Sequence, residues 1–164
     1  MNTKKLVQTA LFLSITLLFQ IGLGPFSQAM VGPAVNMMLI ISTLLIGPSY
    51  AVIIGTLTPI VALMVGIIKL PVLIPIIVIG NALIIVVFSL SKDKDIYSKI
   101  AFLVAASIAK FSFLALGARY ILKLFLPNVP PAIIVTFTWP QLTNALIGGS
   151  IALAIYMALP KNIK

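Results

Sequence analysis

Cysteine, histidine and glutamate are all missing from this 164-residue chain, and its only acidic residues are Asp93 and Asp95. Without cysteine there is no disulfide and no thiolate metal site, and the redox compartment leaves no mark. Zinc motifs, a Ser-His-Asp set and a cysteine nucleophile need residue types that the chain lacks, and no paired catalytic carboxylates can be assembled within the membrane, so it is read as non-enzymatic. Gly148-Gly149 lacks the Lys-Ser/Thr that a nucleotide-binding P-loop requires, so energy from ATP must enter through another subunit. Both aspartates fall in one short polar run. No intramembrane Asp, Glu or His is left to relay protons, which disfavours autonomous ion-coupled transport, although a sodium site of carbonyls and hydroxyls stays open.

What the chain has in excess is apolar surface: 62% of residues are hydrophobic, 8% are charged, and the mean hydropathy is +1.26. Soluble domains are about half apolar and a quarter charged, so this is an integral membrane protein, expected to form a single membrane domain over residues 1–164. The net charge of +9 sits at helix ends rather than in a patch interleaved with aromatics, which argues for topology over nucleic-acid binding. Lys4-Lys5 before an apolar run, with Ser27-Gln28-Ala29 after it, resembles a secretory signal. The run from Leu6 to Leu23 exceeds the ~7–15 residues of a signal core, so a retained first helix is expected.

Six apolar stretches are candidate spans: Leu6–Leu23, Val31–Ile46, Ser49–Ile68, Val72–Leu90, Lys99–Phe125 and Ala132–Leu159. Backbone inside lipid must close its hydrogen bonds helically, so the fold class is an all-α compact bundle of six transmembrane helices. Gly24-Pro25, Gly47-Pro48, Lys69 to Pro71, the Ser91–Ser98 polar run and Pro127 to Pro131 mark the breaks. The two-residue break at Gly47-Pro48 predicts an antiparallel hairpin, tilted or partly re-entrant. Lysine and arginine accumulate on the cytoplasmic side. With the N-terminus inside, Lys4, Lys5, Lys92, Lys94, Lys99, Lys161 and Lys164 face Lys69, Arg119 and Lys123, so both termini are expected in the cytoplasm.

Lys110 stands in the middle of the apolar stretch from Ile100 to Phe125, whose other charges, Arg119 and Lys123, lie near its far end. A cation at that depth costs at least ~2.5–3.5 kcal/mol and normally marks a ligand path or a polar cavity. At a rise of 1.5 Å per residue, Asn36 lies ~8 Å below the outer boundary, Gln20 ~9 Å, Trp139 ~10 Å, Asn81, Lys110 and Gln141 ~14 Å, and Asn144 ~18 Å. These residues are the expected lining of a pocket open to the outside: the amides supply donors and acceptors, the indole a stacking face. Gln141 and Asn144 share a helix face that Gly148 continues, and Pro140 leaves the Thr136 carbonyl without its helical donor. The asparagines have a second role open to them, as interhelical hydrogen bonds worth ~0.6 kcal/mol each. Arg119 and Lys123 read as snorkelling residues and Lys69 as a loop lysine. Ala10 with Ser14, and Ala101 with Ala105, are small-x-x-x-small pairs that suit close helix approach, either to a partner or internally.

The Lys4-Lys5 start leading into Thr9-Ala10-Leu11-Phe12-Leu13-Ser14, the segment from Asn36 to Gly47-Pro48, Gly55-Thr56-Leu57-Thr58-Pro59, Ile79-Gly80-Asn81-Ala82, Ala109-Lys110-Phe111 and Gly148-Gly149 lie on six short helices. Over almost the whole chain this pattern resembles the substrate-binding S components of energy-coupling factor (ECF) vitamin transporters. The resemblance implies a transmembrane T component and two cytoplasmic ATPases as partners, with ATP used there and no cofactor on this chain. It also implies capture of a vitamin from outside, followed by toppling in the membrane. The family's Ala-x-x-x-Ala partner motif maps onto Ala10 and Ser14, with serine as a departure. Lys110, Asn81, Gln141, Asn144 and Trp139, with Asn36 and Gln20, are then the expected substrate contacts. A lone buried cation suits an anionic vitamin such as pantothenate, while a flavin or other heterocycle stays open. Two other classes remain: a self-sufficient carrier of a small organic anion, and a non-transporting helical subunit of a membrane complex.

Overall fold

The computed structural model describes residues 3–24, 28–126 and 128–160, and every regular element among them is helical. In chain order these are α1 (Thr3–Leu23), α2 (Gln28–Leu45), α3 (Pro48–Met64), α4 (Leu73–Ser89), α5 (Ile96–Leu116), α6 (Pro131–Thr136) and α7 (Trp139–Ala158). A π turn at Gly117–Ile121 and a 3-10 turn at Leu122–Leu124 prolong α5. The expected spans are present. Thr3–Leu23, Ile96–Leu124 and Pro131–Ala158 are long and apolar enough to cross a bilayer, whereas α2, α3 and α4 are shorter apolar helices. The 17 residues of α3 reach ~25 Å, somewhat less than the ~30 Å hydrocarbon core.

Local chemistry sets the helix ends. Gly47 at φ +100° makes the tight α2–α3 turn, and Pro48 follows where a missing N–H does no harm. Asp95 caps α5 by accepting from the Tyr97 and Ser98 backbone, which starts that helix three residues before the expected Lys99. Lys99 is instead buried, and its ammonium donates to the Lys92 carbonyl at 3.0 Å and to that of Lys94, holding the α4–α5 loop against the bundle. The sixth span was expected to be continuous from Ala132 to Leu159. It divides into α6 and α7 at Thr138, where the backbone leaves helical space (φ −106°, ψ −128°) just before Pro140.

Central α2 touches α1, α3, α4 and α7, while α4 lies against α3 and α5, and α5 against α7. Close approach depends on two adjacent glycines of α7. A methyl group at Gly148 would sit 2.2 Å from the Pro33 carbonyl oxygen of α2, and one at Gly149 would sit 2.1 Å from Leu103 of α5. A large apolar core, including Leu39, Ile40, Ile54, Ile84, Ile85 and Phe88, fills the half of the bundle that holds the α2–α3 turn. A smaller one around Leu73, Ile76, Leu114 and Phe137 lies toward the other end. The outside is apolar too: Leu18, Met64 and Leu124 are 71%, 80% and 80% exposed, a surface suited to acyl chains and not to water.

Candidate functional site

Lys110 projects from α5 into the middle of the bundle and is only 3% exposed. Its ammonium donates to Asn36 Oδ1 of α2 at 2.7 Å and to Asn81 Oδ1 of α4 at 2.9 Å. Each carboxamide is fixed from behind. Asn36 Nδ2 donates to the Gly32 carbonyl at 2.8 Å, and Asn81 Nδ2 donates to the Gly55 carbonyl of α3 at 2.9 Å. The second bond repairs a fault: Pro59, four residues after Gly55, has no N–H to complete that rung of α3, and Asn81 supplies the donor from α4. Gly55 makes this reach possible, since a methyl group there would press on Asn81 Cβ at 3.2 Å.

A cavity of about 410 Å³ adjoins the Lys110 cluster at the end of the bundle where α3 finishes and α4 begins. Ile67, Ile68, Lys69 and Leu70 of that connection line it, as do Ala132, Ile133 and Thr136 of α6. Two cations, Lys69 and Lys110, line it without a carboxylate, because Asp93 and Asp95 sit in the exposed loop between α4 and α5. Two amide oxygens solvate the Lys110 ammonium without neutralising it, so the cavity keeps a positive potential within apolar walls.

Of the expected contacts, Gln20, Asn36, Asn81, Lys110 and Gln141 all line this cavity. Gln20 is 7% exposed, and its Oε1 finds no hydrogen-bond partner among the described residues. Gln141 Nε2 approaches the Thr136 carbonyl at 3.3 Å, so the acceptor that Pro140 strips of its helical donor is taken up by Gln141. Asn144 and Trp139 are placed elsewhere. They line a second recess beside α6 and α7 that meets the cavity at Thr136 and Gln141. Asn144 packs into the space left by Gly32, and Trp139, 68% exposed, stacks on Phe111 with ring centroids 5.5 Å apart.

Arg119 and Lys123 are exposed and do not line the cavity, while Lys69, read as a loop lysine, does. Thr58, not singled out as a site residue, also lines it, buried beside Pro59 with its hydroxyl donating to the Ile54 carbonyl at 2.6 Å. A hydroxyl next to a mid-helix proline was the available signal. Ala10 and Ser14 lie on the exposed side of α1, Ser14 Oγ donating to the Ala10 carbonyl at 2.9 Å. Lys161 and Lys164, counted for topology, fall outside the described residues.

Comparison with known proteins agrees with this architecture. The family model described as "ECF transporter, substrate-specific component" matches residues 4–160. No curated protein and no solved structure gives a match. A match over nearly the full length, on an all-helical apolar bundle with an interior polar cavity, makes this chain a member of the ECF transporter substrate-specific component family.

Proposed function

We propose that this substrate-specific transporter subunit captures a vitamin or related micronutrient from outside the cell for an ECF-type ABC importer. One observation carries the reading: an ammonium with no carboxylate near it, held by carboxamides from two other helices, beside a cavity at one end of the bundle. Such an arrangement spends folding free energy to hold a buried amine without a counter-charge until something binds. The lysine distribution supports placing that end outside and both termini in the cytoplasm. ATP hydrolysis is assigned to two partner ATPases and transmission to a T component that docks on the exposed Ala10 and Ser14 face of α1.

Uptake into liposomes tests this. Purified chain together with T component and ATPases is expected to import in the presence of ATP, and chain alone to bind without importing. Import by the chain alone on an ion gradient would replace the proposal with an autonomous carrier. Replacing Ala10 by Trp is expected to abolish import while leaving ligand affinity within about twofold, a change of ~0.4 kcal/mol.

A further inference from the structure

The cavity also constrains the chemistry of its occupant. An ammonium has three donors, and two are used on Asn36 and Asn81. The third is left for the cavity, and no carboxylate of the chain lies at that depth to meet it. Lys69 at the rim adds a second charge of the same sign, so the field favours an anion and opposes an organic cation. Gln20 supplies the complementary signal. Its buried carbonyl oxygen lacks a donor among the described residues, which a ligand hydroxyl or amide N–H would provide.

The walls set the third condition. Val31, Val35, Ile77, Leu114 and Ile133 present aliphatic surface, and Phe137 is the one aromatic side chain among the described lining residues. Flat heterocycles are usually held between rings or over an indole, and the described lining of this cavity has no such pair. Trp139, the indole expected to serve, lies in the neighbouring recess. Resting on the reading of this cavity as the capture site, we propose that its substrate is a small aliphatic monocarboxylate carrying a hydroxyl or amide N–H. The acid would meet Lys110 and the donor Gln20.

The test uses the full-length chain purified in detergent from cells grown in rich medium. Small molecules released on denaturation are identified by mass, and binding is then measured with pantothenate, its alcohol pantothenol, biotin, riboflavin and thiamine. The expected result is a released aliphatic carboxylate whose affinity falls at least 100-fold in Lys110→Met and about 10-fold in Gln20→Leu. A hydroxymethyl or methyl ester form of that acid should bind the wild-type chain at least 100-fold more weakly, a comparison that holds even if Lys110→Met fails to fold. A flavin, a thiamine-like cation, or equal affinity for acid and ester would overturn the substrate class and leave the capture function standing. Release of nothing, with none of the five compounds raising the unfolding temperature, would overturn the capture function itself and this proposal with it.

Discussion

The two halves of the bundle obey different rules. Around the α2–α3 turn and the α4–α5 loop, Leu39, Ile40, Ile54, Ile84 and Phe88 pack a dry core, and the Ser42 and Thr43 hydroxyls are returned to the Leu39 carbonyl of their own helix. Toward the other end, Gln20, Asn36, Asn81, Lys110 and Gln141 gather round empty space. One half is finished when the chain folds. The other keeps a buried lysine with no carboxylate beside it and, at Gln20, an amide oxygen with no donor among the described residues.

Phe88→Ala strikes the finished half and has the largest expected effect. Phe88 is fully buried, and truncations of this kind cost ~3–5 kcal/mol. Thermal unfolding should shift strongly down, while ligand affinity per folded molecule stays unchanged; a loss of affinity would mean that the halves are coupled. Asn36→Asp completes the unfinished half. A carboxylate 2.7 Å from the Lys110 ammonium supplies the missing counter-charge, so the empty protein should unfold at a higher temperature. An anionic ligand should then bind ~100-fold more weakly, about 2.7 kcal/mol. Tighter binding, or an unchanged unfolding temperature, would contradict the view of Lys110 as an uncompensated charge.

Asp95→Ala is expected to have the smallest effect. Its carboxyl is held below the usual carboxylate range first by the Ser98 hydroxyl and then by backbone N–H groups of Ser98 and Tyr97. A lowered carboxylate stabilises the fold fully above its unfolded value of 3.8 and loses that contribution as pH falls through its lower folded value. Melting followed from neutral pH to below about pH 4 should therefore show a small acid-dependent decline in the wild-type chain that is missing from Asp95→Ala.

Much of this division was legible in the residues. Lys110 announced itself because a lone cation in an apolar run has few physical explanations, and carboxamides at similar depth pointed to the same end. The number of spans and the Gly47 turn followed from apolar length and proline or glycine breaks. Depth along a helix, however, says nothing about which way a side chain turns. Asn144 shares the calculated level of the cavity but faces Gly32, a contact fixed by how closely α7 approaches α2. Trp139 begins a helix after a break that single-span counting passes over, so its indole emerges beside Phe111. The role of Lys69 depends on how the α3–α4 connection folds over the rim, which composition alone does not encode.

Asn81 mends the rung of α3 that Pro59 leaves open and grips the Lys110 ammonium with the same carboxamide. A substitution at position 81 would therefore act twice, on the integrity of a neighbouring helix and on the hold on Lys110. Under the proposed capture function, specificity can be retuned more freely at Gln20, whose oxygen carries no such second duty among the described residues.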